Sequence, residues 1–534
     1  GSEIVRADNR DKSGINNDFL CAKGRFGFDF VENPERLTTP LVLNTAGDLE
    51  PATWEHALRF AAGRLTEIRD SKSSDAIGVI GSNLTTNEEN YLLQKFARTV
   101  LRTNNIDHER TADYAAFASA LAGNRHRAAG LREIANAPAI LLIGGNPTDE
   151  HPLLAWELRT NVRLNHAKLY IANTVPIKLE RQARNTLRLP AGGYNRLTAY
   201  LDGSDTTLGD AAFRDAVLTE GSLLVTVGAD FTGSQLESLI QWGLKRENVR
   251  FACLGDHANS RGAADMGLLP DMLPGYVPVG APAAFGSEYP GLPSTPGKSL
   301  EQMLSTAVSG APGALLIVGA NPFSKTAATP ASLKETFLVV QDIFLTETAA
   351  LADVVLPATS LYEKTGTITN TYGDLQLARK AADHAGVKPD FEILVRLADA
   401  MGADVKKLVP FGKGGVTADL GQSRGAQAGE ADRHAIWLAA NGLEPKLSPF
   451  DPLAVLDEIE RLVPGYKLDR LTLFGGNDVP TEPGFVPVST LTAAAHVSPA
   501  HDGLFTSGTL GRYSQALREL EIHQESLPAE AVAD

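Results

Sequence analysis

Three short apolar runs that each end in a glycine turn constrain the fold of this chain more than any other feature. Ile140–Pro147 reads ILLIGGNP, Leu315–Pro322 reads LLIVGANP, and Leu223–Asp230 reads LLVTVGAD. Such runs are typical of strands that are buried on both faces, and glycine permits the tight turn that follows. Repeated units of strand, turn and helix predict an α/β fold with doubly wound parallel sheets, and two such sheets are expected.

A further unit lies in the stretch Val339–Gln376, where two apolar runs flank a polar turn. Thr346 or Thr348 is placed to cap a short helix between the two runs. In α/β sheets, ligands lie beyond the carboxyl ends of the strands. The residues alone favour a modest role for Glu347 and Asp353, as helix caps and loop braces.

Local signals also place elements in the first hundred residues. Apolar residues recur at helical spacing in residues 51–69 and in Asn87–Arg102, and residues 76–80 are typical of a strand. The pairs Thr85–Glu88 and Thr86–Glu89 have capping-box spacing at the start of the second helix. The residues of that helix expected to face the core are Tyr91, Phe96 and Val100.

Composition limits the class of protein. The chain has 534 residues, 43% hydrophobic and 21% charged, which is ordinary for a globular protein of three or four domains. Its net charge of −15 argues against binding to nucleic acid or to anionic membrane surfaces. No apolar run approaches the ~20 residues of a membrane span, and no signal-peptide pattern is present. The chain opens with Gly-Ser rather than Met, which is typical of a cloning scar or of a cut from a longer polypeptide.

Cysteines and histidines are sparse and scattered. Cys21 and Cys253 are the only cysteines; they can form neither a disulfide framework nor the four-thiolate site of an iron–sulfur cluster. The residues around Cys253 predict a buried strand. The eleven histidines show no HxxxH or HxH spacing, which disfavours a zinc site.

Several stretches together resemble the molybdopterin oxidoreductase family, which includes formate dehydrogenases and the large iron–sulfur subunit of respiratory complex I. Val339–Gln376 is similar to the family's pterin-proximal signature. The other stretches with this resemblance are Asn17–Gly27, Pro34–Leu41, Thr86–Asp107, Asn146–Pro152, Gly262–Tyr276 and Leu504–Leu517. The resemblance implies two Rossmann-like, doubly wound domains, with the family's closing β-barrel domain absent from this chain.

The resemblance also implies domain boundaries. Residues 1–36 are expected to be the remnant of an iron–sulfur (4Fe-4S) domain. Residues 37–135 plus 335–520 are expected to form one discontinuous α/β domain, and residues 136–334 an inserted one. Residues 412–430 are expected to be a mobile surface insertion, and residues 521–534 a disordered tail.

Carried over residue by residue, the resemblance gives vestigial cofactor-binding candidates. They are Lys23, Asn146, Asn321, Glu347 and Thr348. Lys23 corresponds to the residue between cluster and pterin. Cys21 corresponds to a fourth cluster ligand, and is a metal ligand only if upstream cysteines exist in the natural chain.

The departures from the family pattern bear on function. Where catalytic members carry Cys or selenocysteine followed by His, this chain has Asp113 and Tyr114. A helix cap explains Asp113 best, and molybdenum ligation by this carboxylate is the alternative. The acidic residues that would hold guanine are replaced by Asn173 and, in a second turn, by Asn195. An amide cannot reproduce the two charged hydrogen bonds of a carboxylate.

We therefore expect no catalytic residue and no cofactor in this chain. The leading hypothesis is a structural and docking region of the complex I large iron–sulfur subunit, which is a component of NADH-quinone oxidoreductase. Its partners would be other subunits of the respiratory complex, and its location cytoplasmic and peripheral to the inner membrane, without direct membrane insertion. The alternative is a catalytic, formate dehydrogenase-like enzyme with molybdopterin guanine dinucleotide and molybdenum or tungsten. A hydrogenase-associated subunit stays open as a third hypothesis. A 4Fe-4S cluster is expected only in the full-length protein.

Overall fold

The computed structural model describes residues 3–9, 19–282, 284–311, 313–326, 328–410, 449–481 and 508–526. The strands within these ranges are β1 (Leu41–Leu43), β2 (Leu49–Pro51), β3 (Ile77–Gly81), β4 (Ile106–His108), β5 (Ala139–Ile143), β6 (Lys168–Asn173), β7 (Asn185–Arg188), β8 (Leu223–Val227), β9 (Val249–Cys253), β10 (Met272–Leu273), β11 (Val277–Pro278), β12 (Gly313–Val318), β13 (Thr336–Asp342), β14 (Val354–Pro357), β15 (Gly366–Thr369), β16 (Asp374–Ala378) and β17 (Val479–Pro480).

The α-helices of the same ranges surround these strands. They are Ala22–Phe26, Trp54–Ser71, Asn87–Thr99, Tyr114–Ala120, Leu131–Asn136, Pro147–Glu150, Pro152–Asn165, Tyr194–Asp202, Ala211–Leu218, Gly233–Leu244, Ser260–Asp265, Phe285–Glu288, Leu300–Val308, Asp390–Ala400, Val405–Leu408, Leu456–Leu462, Arg470–Phe474, Gly508–Gly511 and Gln515–Ser526.

Two large open sheets organise the fold. The first has seven strands in the order β2-β1-β14-β13-β12-β3-β4, and the second has five in the order β7-β6-β5-β8-β9. All neighbours in the second sheet are parallel. In the first sheet, β1 and β2 add an antiparallel edge to five parallel strands. The predicted α/β fold with two doubly wound sheets is confirmed.

The parallel strands are buried because helices cover both of their faces. Every residue of β3, β5 and β8 is buried, which matches their apolar sequences. One core packs Leu65, Phe96 and Leu397 against the first sheet, and a separate core packs the second sheet. The smaller sheets β10-β11 and β15-β16-β17 lie outside these layers.

The helix Asn87–Thr99 begins at the predicted capping box. Thr86 accepts a hydrogen bond from the amide of Glu89, and the Glu89 carboxylate accepts one from the amide of Thr86. All residues from Asn87 to Arg98 are buried, including the charged ones. The apolar residues of this helix face the core as predicted, and distant segments of the chain cover its polar face as well.

The predicted domain boundaries need three corrections. The boundary at 334 is wrong for β12, because this strand pairs with β3 and β13 in the first sheet. Residues 1–36 contain a helix, Ala22–Phe26, and a 3-10 turn, Asp29–Glu32, where only loop was expected. The helix Gln515–Ser526 continues past the predicted start of the disordered tail. Residues 412–430 lie outside the described residues.

No helix in the described ranges combines the length and the apolar character that a membrane crossing requires.

Candidate functional site

A crevice opens where the carboxyl ends of β3 and β12 meet. From β3 the chain proceeds to β4 on one side of the sheet, whereas β13 and β14 follow β12 on the other side. Ligands of open α/β sheets bind where the strand order reverses in this way. The cavity in this first crevice has a volume of about 130 Å³. Its polar lining residues are Thr85, Asp342, Thr359, Ser360, Lys364 and Asp390.

Three of the predicted cofactor residues come together beside the first crevice. Asn321 donates from Nδ2 to a Glu347 carboxylate oxygen at 2.7 Å, and its Oδ1 accepts from the Thr348 hydroxyl at 2.8 Å. Arg512 adds two hydrogen bonds to the same carboxylate, at 2.9 and 3.1 Å. The predicted proximity of Asn321, Glu347 and Thr348 is thus observed, and their polar groups bond to protein atoms.

The Glu347–Arg512 pair predicts an acid-sensitive contact at the C-terminal segment. Hydrogen bonds from Arg512 and Asn321 lower the pKa of Glu347 from 4.5 to about 2. This contribution to stability is present above pH 4.5 and is lost as the pH falls toward 2. Both side chains are more than a third exposed, so we expect Arg512→Ala to cost only about 0.5–1 kcal/mol at pH 7. The loss relative to wild type should disappear below pH 2.

Thermal unfolding at pH 7 and at pH 2 measures this difference. Arg518→Ala removes an exposed arginine from the neighbouring helix and serves as the control. An equal loss of stability at both pH values would contradict the assignment of the pKa shift to this pair.

Buried charges line the first crevice, and the sequence analysis did not identify them. The Lys364 ammonium lies 2.8 Å from a Glu89 carboxylate oxygen and 3.0 Å from one of Asp390. Burial raises the pKa of Asp342 to about 7. Asp390 Oδ1 and Thr359 Oγ1 are buried and have no hydrogen-bond partner among the described residues. These side chains come from distant segments, so no local sequence pattern marks them.

A second crevice opens where the second sheet reverses its order, between β5 and β8. From β5 the chain proceeds to β6 and β7 on one side, and from β8 to β9 on the other. The cavity in this second crevice has a volume of about 30 Å³. Its polar and glycine lining residues are Gly144, Gly145, Glu150, His151, Gly228, Asp230 and Asp256. Both glycine-turn motifs ILLIGGNP and LLVTVGAD therefore end at one place.

Asn146 follows the glycine turn of the second crevice, as predicted, but its donors are engaged. Its side chain donates to Asp149 at 2.6 Å and its main-chain amide donates to Glu150 at 2.8 Å. The amide of Gly145 donates to the Asp230 carboxylate at 2.8 Å. Carboxylates thus occupy the amides that an anionic ligand would use at such a turn.

Asp113 and Tyr114 do not fit a molybdenum site. Asp113 accepts hydrogen bonds from the amide of Ala116 at 3.0 Å and from that of Gly233 at 2.9 Å. It is the N-terminal cap of Tyr114–Ala120, which is the role that the sequence favoured. Burial, with a smaller effect from Asp113, raises the pKa of the nearby Cys253 thiol far above neutral pH. The position therefore offers no thiolate ligand.

The Tyr114 ring fills the space beside this cap. Its hydroxyl shares a hydrogen bond with Thr371 at 2.9 Å, and the Arg261 guanidinium lies 6.0 Å from the ring centroid. A Cβ on Gly255 would approach the Tyr114 hydroxyl to 2.6 Å. Closely packed protein atoms therefore stand where the resemblance places the metal ligand.

The two asparagines at the predicted guanine positions are engaged as well. Asn173 donates to the carbonyl of Gly145 at 2.8 Å and accepts from the amide of Val175 at 3.1 Å. Asn195 accepts a hydrogen bond from the side chain of Gln235. The donor set present does not fit molybdopterin guanine dinucleotide as the resemblance would require it.

Lys23 and Cys21 lie near the start of the described chain. Lys23 belongs to the helix Ala22–Phe26, and Cys21 precedes that helix as a partly buried free thiol. Cys253 is also a free thiol, and it is buried in β9, as the sequence predicted. Neither cysteine belongs to a cluster of potential metal ligands within the described residues.

Known proteins resemble this chain over most of its length. The family model described as Molybdopterin oxidoreductase matches residues 36–400. The second G-type subunit of the NADH-quinone oxidoreductase of Rhizobium meliloti (strain 1021) is 34% identical over 432 residues, which cover 72% of this chain and 49% of that protein. Formate dehydrogenase H of Escherichia coli (strain K12) is 31% identical over 472 residues, which cover 75% of this chain and 65% of that protein.

A solved structure supports the fold at low sequence identity. Acetylene hydratase from Pelobacter acetylenicus superposes with a TM-score of 0.53 at 15% identity, covering 74% of this chain and 65% of that one. The chain spans about half the length of the Rhizobium relative and just under two thirds of the Escherichia relative. Because the family model covers more than half of this sequence, the chain belongs to the molybdopterin oxidoreductase family.

Proposed function

We propose that this chain is a cofactor-free structural and docking region of a G-type subunit of NADH-quinone oxidoreductase. The 34% identity to a subunit of that type supports the assignment to this branch of the family. In this role the chain supports electron transfer by the whole assembly and does not itself bind NADH. Its partners are the other subunits of a respiratory complex, and its place is the cytoplasmic side, peripheral to the inner membrane.

The observation that carries this proposal is the packing around Asp113 and Tyr114. The carboxylate is held by two main-chain amides, and the aromatic ring is buried against Gly255. A metal ligand at this position would have to break the helix cap and displace the ring. Both changes oppose cofactor binding, whereas they are immaterial to a scaffold.

The N-terminal segment offers an apolar surface for docking. Phe19 and Phe26 are 43% and 46% exposed, and the helix Ala22–Phe26 packs against Gln515–Ser526. Exposed aromatic side chains are enriched at protein interfaces. We expect this surface to adjoin the part of the full-length protein that holds iron–sulfur clusters, and to contact a neighbouring subunit.

Elemental analysis of the natural full-length protein, purified from its own host, tests the proposal. We expect iron and no more than traces of molybdenum or tungsten, because the described residues lack the ligand set of a molybdenum site. Cells should be grown both with and without added molybdate, so that starvation cannot explain a low molybdenum content. Co-purification of membrane-bound respiratory subunits would support the docking role.

Near-stoichiometric molybdenum or tungsten would overturn the cofactor-free assignment. It would favour the alternative, a catalytic formate dehydrogenase-like oxidoreductase, for which the formate dehydrogenases among the relatives are the supporting observation. Asp113→Ala would then show whether this carboxylate holds the metal. Loss of metal in that variant would make Asp113 a ligand.

A further inference from the structure

The second crevice has the charge of a cation site. Glu150, Asp230, Asp256 and His151 line it, and no lysine or arginine does so among the described residues. Three carboxylates around one small cavity create a negative potential that excludes anions. A ligand of this crevice must therefore be neutral or positively charged.

The glycine turn shows that an anion is already in place. Consecutive amides in a turn of positive φ form a concave site for anions, and Gly144 and Gly145 both have positive φ. Here the Asp230 carboxylate takes the Gly145 amide at 2.8 Å. A Cβ on Gly144 would lie 2.3 Å from the same carboxylate, so glycine is required for this close approach. The protein's own side chain thus replaces a phosphate at this turn.

Three metal-ligating side chains converge at the mouth of the turn. One ligand atom from each of Glu150, His151 and Asp256 lies within 4.8 Å of the others. His151 Nε2 is 3.4 Å from Asp256 Oδ1. Zinc bonds to nitrogen and oxygen of roughly 2.0–2.2 Å place tetrahedral ligand atoms about 3.3–3.6 Å apart. The observed separation matches one edge of such a tetrahedron.

The same turn also carries an unused acceptor. Asn146 Oδ1 is buried and accepts no hydrogen bond from any described residue. A cavity of about 30 Å³ exceeds the roughly 10–15 Å³ that one water molecule needs. An ion with three protein ligands and one water molecule would fit this space.

We propose that Glu150, His151 and Asp256 bind one divalent transition cation, with Zn²⁺ the best match to an imidazole and two carboxylates. The ion connects the turn after β5 with the segment after β9, and thereby fixes the carboxyl edge of the second sheet. Its role is structural, and it does not depend on whether the chain binds molybdopterin. The ligands are far apart in sequence, which explains why histidine spacing did not indicate a zinc site.

Calorimetric titration of the chelator-treated full chain with ZnCl₂ tests the site. We expect one Zn²⁺ per chain in the wild type and at least a tenfold weaker affinity in His151→Ala and in Asp256→Asn. His56→Ala removes an exposed histidine on Trp54–Ser71 and should leave binding unchanged. Zn²⁺ should raise the unfolding temperature of the wild type and of His56→Ala, and should not raise that of the two ligand variants.

Three results would overturn the proposal. They are the absence of saturable Zn²⁺ binding, equal affinity in wild type and both ligand variants, and weakening by His56→Ala as large as that by His151→Ala. Asp256→Asn preserves side-chain volume, so it keeps the test informative if His151→Ala misfolds. Circular dichroism of each metal-free variant confirms folding. Co²⁺ in place of Zn²⁺ should give the intense visible absorption of a tetrahedral ion in the wild type and in His56→Ala, and not in the two ligand variants.

Discussion

Arg98→Met should lower the free energy of unfolding by at least about 4 kcal/mol. Arg98 is fully buried in the helix Asn87–Thr99. Its guanidinium donates to the carbonyls of Gly267, Leu269 and Met272 at 3.1, 2.8 and 2.7 Å. Methionine fills a similar volume but leaves those three carbonyls without a donor, and each orphaned buried carbonyl costs about 1–3 kcal/mol.

Two more hydrogen bonds make this arginine hard to replace. It donates to Asn104 Oδ1 at 3.0 Å and to Gln94 Oε1 at 2.7 Å. Burial lowers the pKa of Arg98 to about 10, which still leaves it charged at neutral pH. Lysine would restore the charge but not the planar fork of five donors. Arg98→Lys should therefore recover only a small part of the lost stability.

Urea unfolding of the three proteins at pH 7 measures these differences. Arg102→Met, four residues further on and exposed, is the matched control and should change stability by less than about 0.5 kcal/mol. A loss in Arg98→Met as small as in the control would mean that water or rearranged side chains satisfy the three carbonyls. Full recovery in Arg98→Lys would show that charge alone is needed.

The local elements of this fold could be predicted because their causes are local. β5, β8 and β12 were recognised as apolar runs before glycine, and each is a buried parallel strand. The Thr86–Glu89 capping box was recognised from spacing alone and is present. Capping and strand burial depend on residues a few positions apart, so the sequence carries enough information about them.

Sheet membership and buried polar contacts could not be predicted because they depend on distant segments. β12 looks like β5 in sequence, yet it pairs with β3 across more than two hundred residues. Lys364 neutralises Glu89 only because the fold brings the two together. The same applies to His151 and Asp256. The resemblance to a known family supplied the proximity of Asn321 and Glu347, which no periodicity would have indicated.

Asp342→Asn should stabilise the protein at pH 8 by an amount on the order of 3 kcal/mol. Burial raises the pKa of Asp342 from 3.8 to about 7, and the neighbouring Asp390 raises it further. The folded protein therefore binds this proton more tightly than the unfolded chain does. The stability that protonated Asp342 provides is complete below pH 3.8 and is lost as the pH rises to about 7. An asparagine is neutral throughout this range.

The local hydrogen bonds allow this substitution. Asp342 Oδ1 accepts from the amide of Ile343 at 2.7 Å, and an asparagine oxygen can do the same. Oδ2 accepts from the Thr346 hydroxyl at 3.1 Å. An asparagine amide can instead donate to that hydroxyl, which has lone pairs to accept it. The variant thus keeps the shape of the site and removes only the buried charge.

Unfolding of wild type and Asp342→Asn at pH 5, 6, 7 and 8 tests this prediction. Other buried carboxylates such as Glu88 also titrate near neutral pH, so the difference between the two proteins at each pH isolates Asp342. We expect that difference to grow from near zero at low pH to its full value at pH 8. Asp48→Asn, at an exposed carboxylate, should show no such trend.

A lower stability of Asp342→Asn at pH 8 would contradict this account of the first crevice. It would mean that the Asp342 carboxylate is charged in the folded protein and has a cationic partner beyond Lys364. The expected stabilisation, in contrast, means that the crevice holds one more carboxylate than its cations neutralise. Such a surplus of negative charge repels a polyanionic cofactor such as a pterin nucleotide. The outcome therefore bears directly on whether this end of the first sheet still favours the ligand of its family.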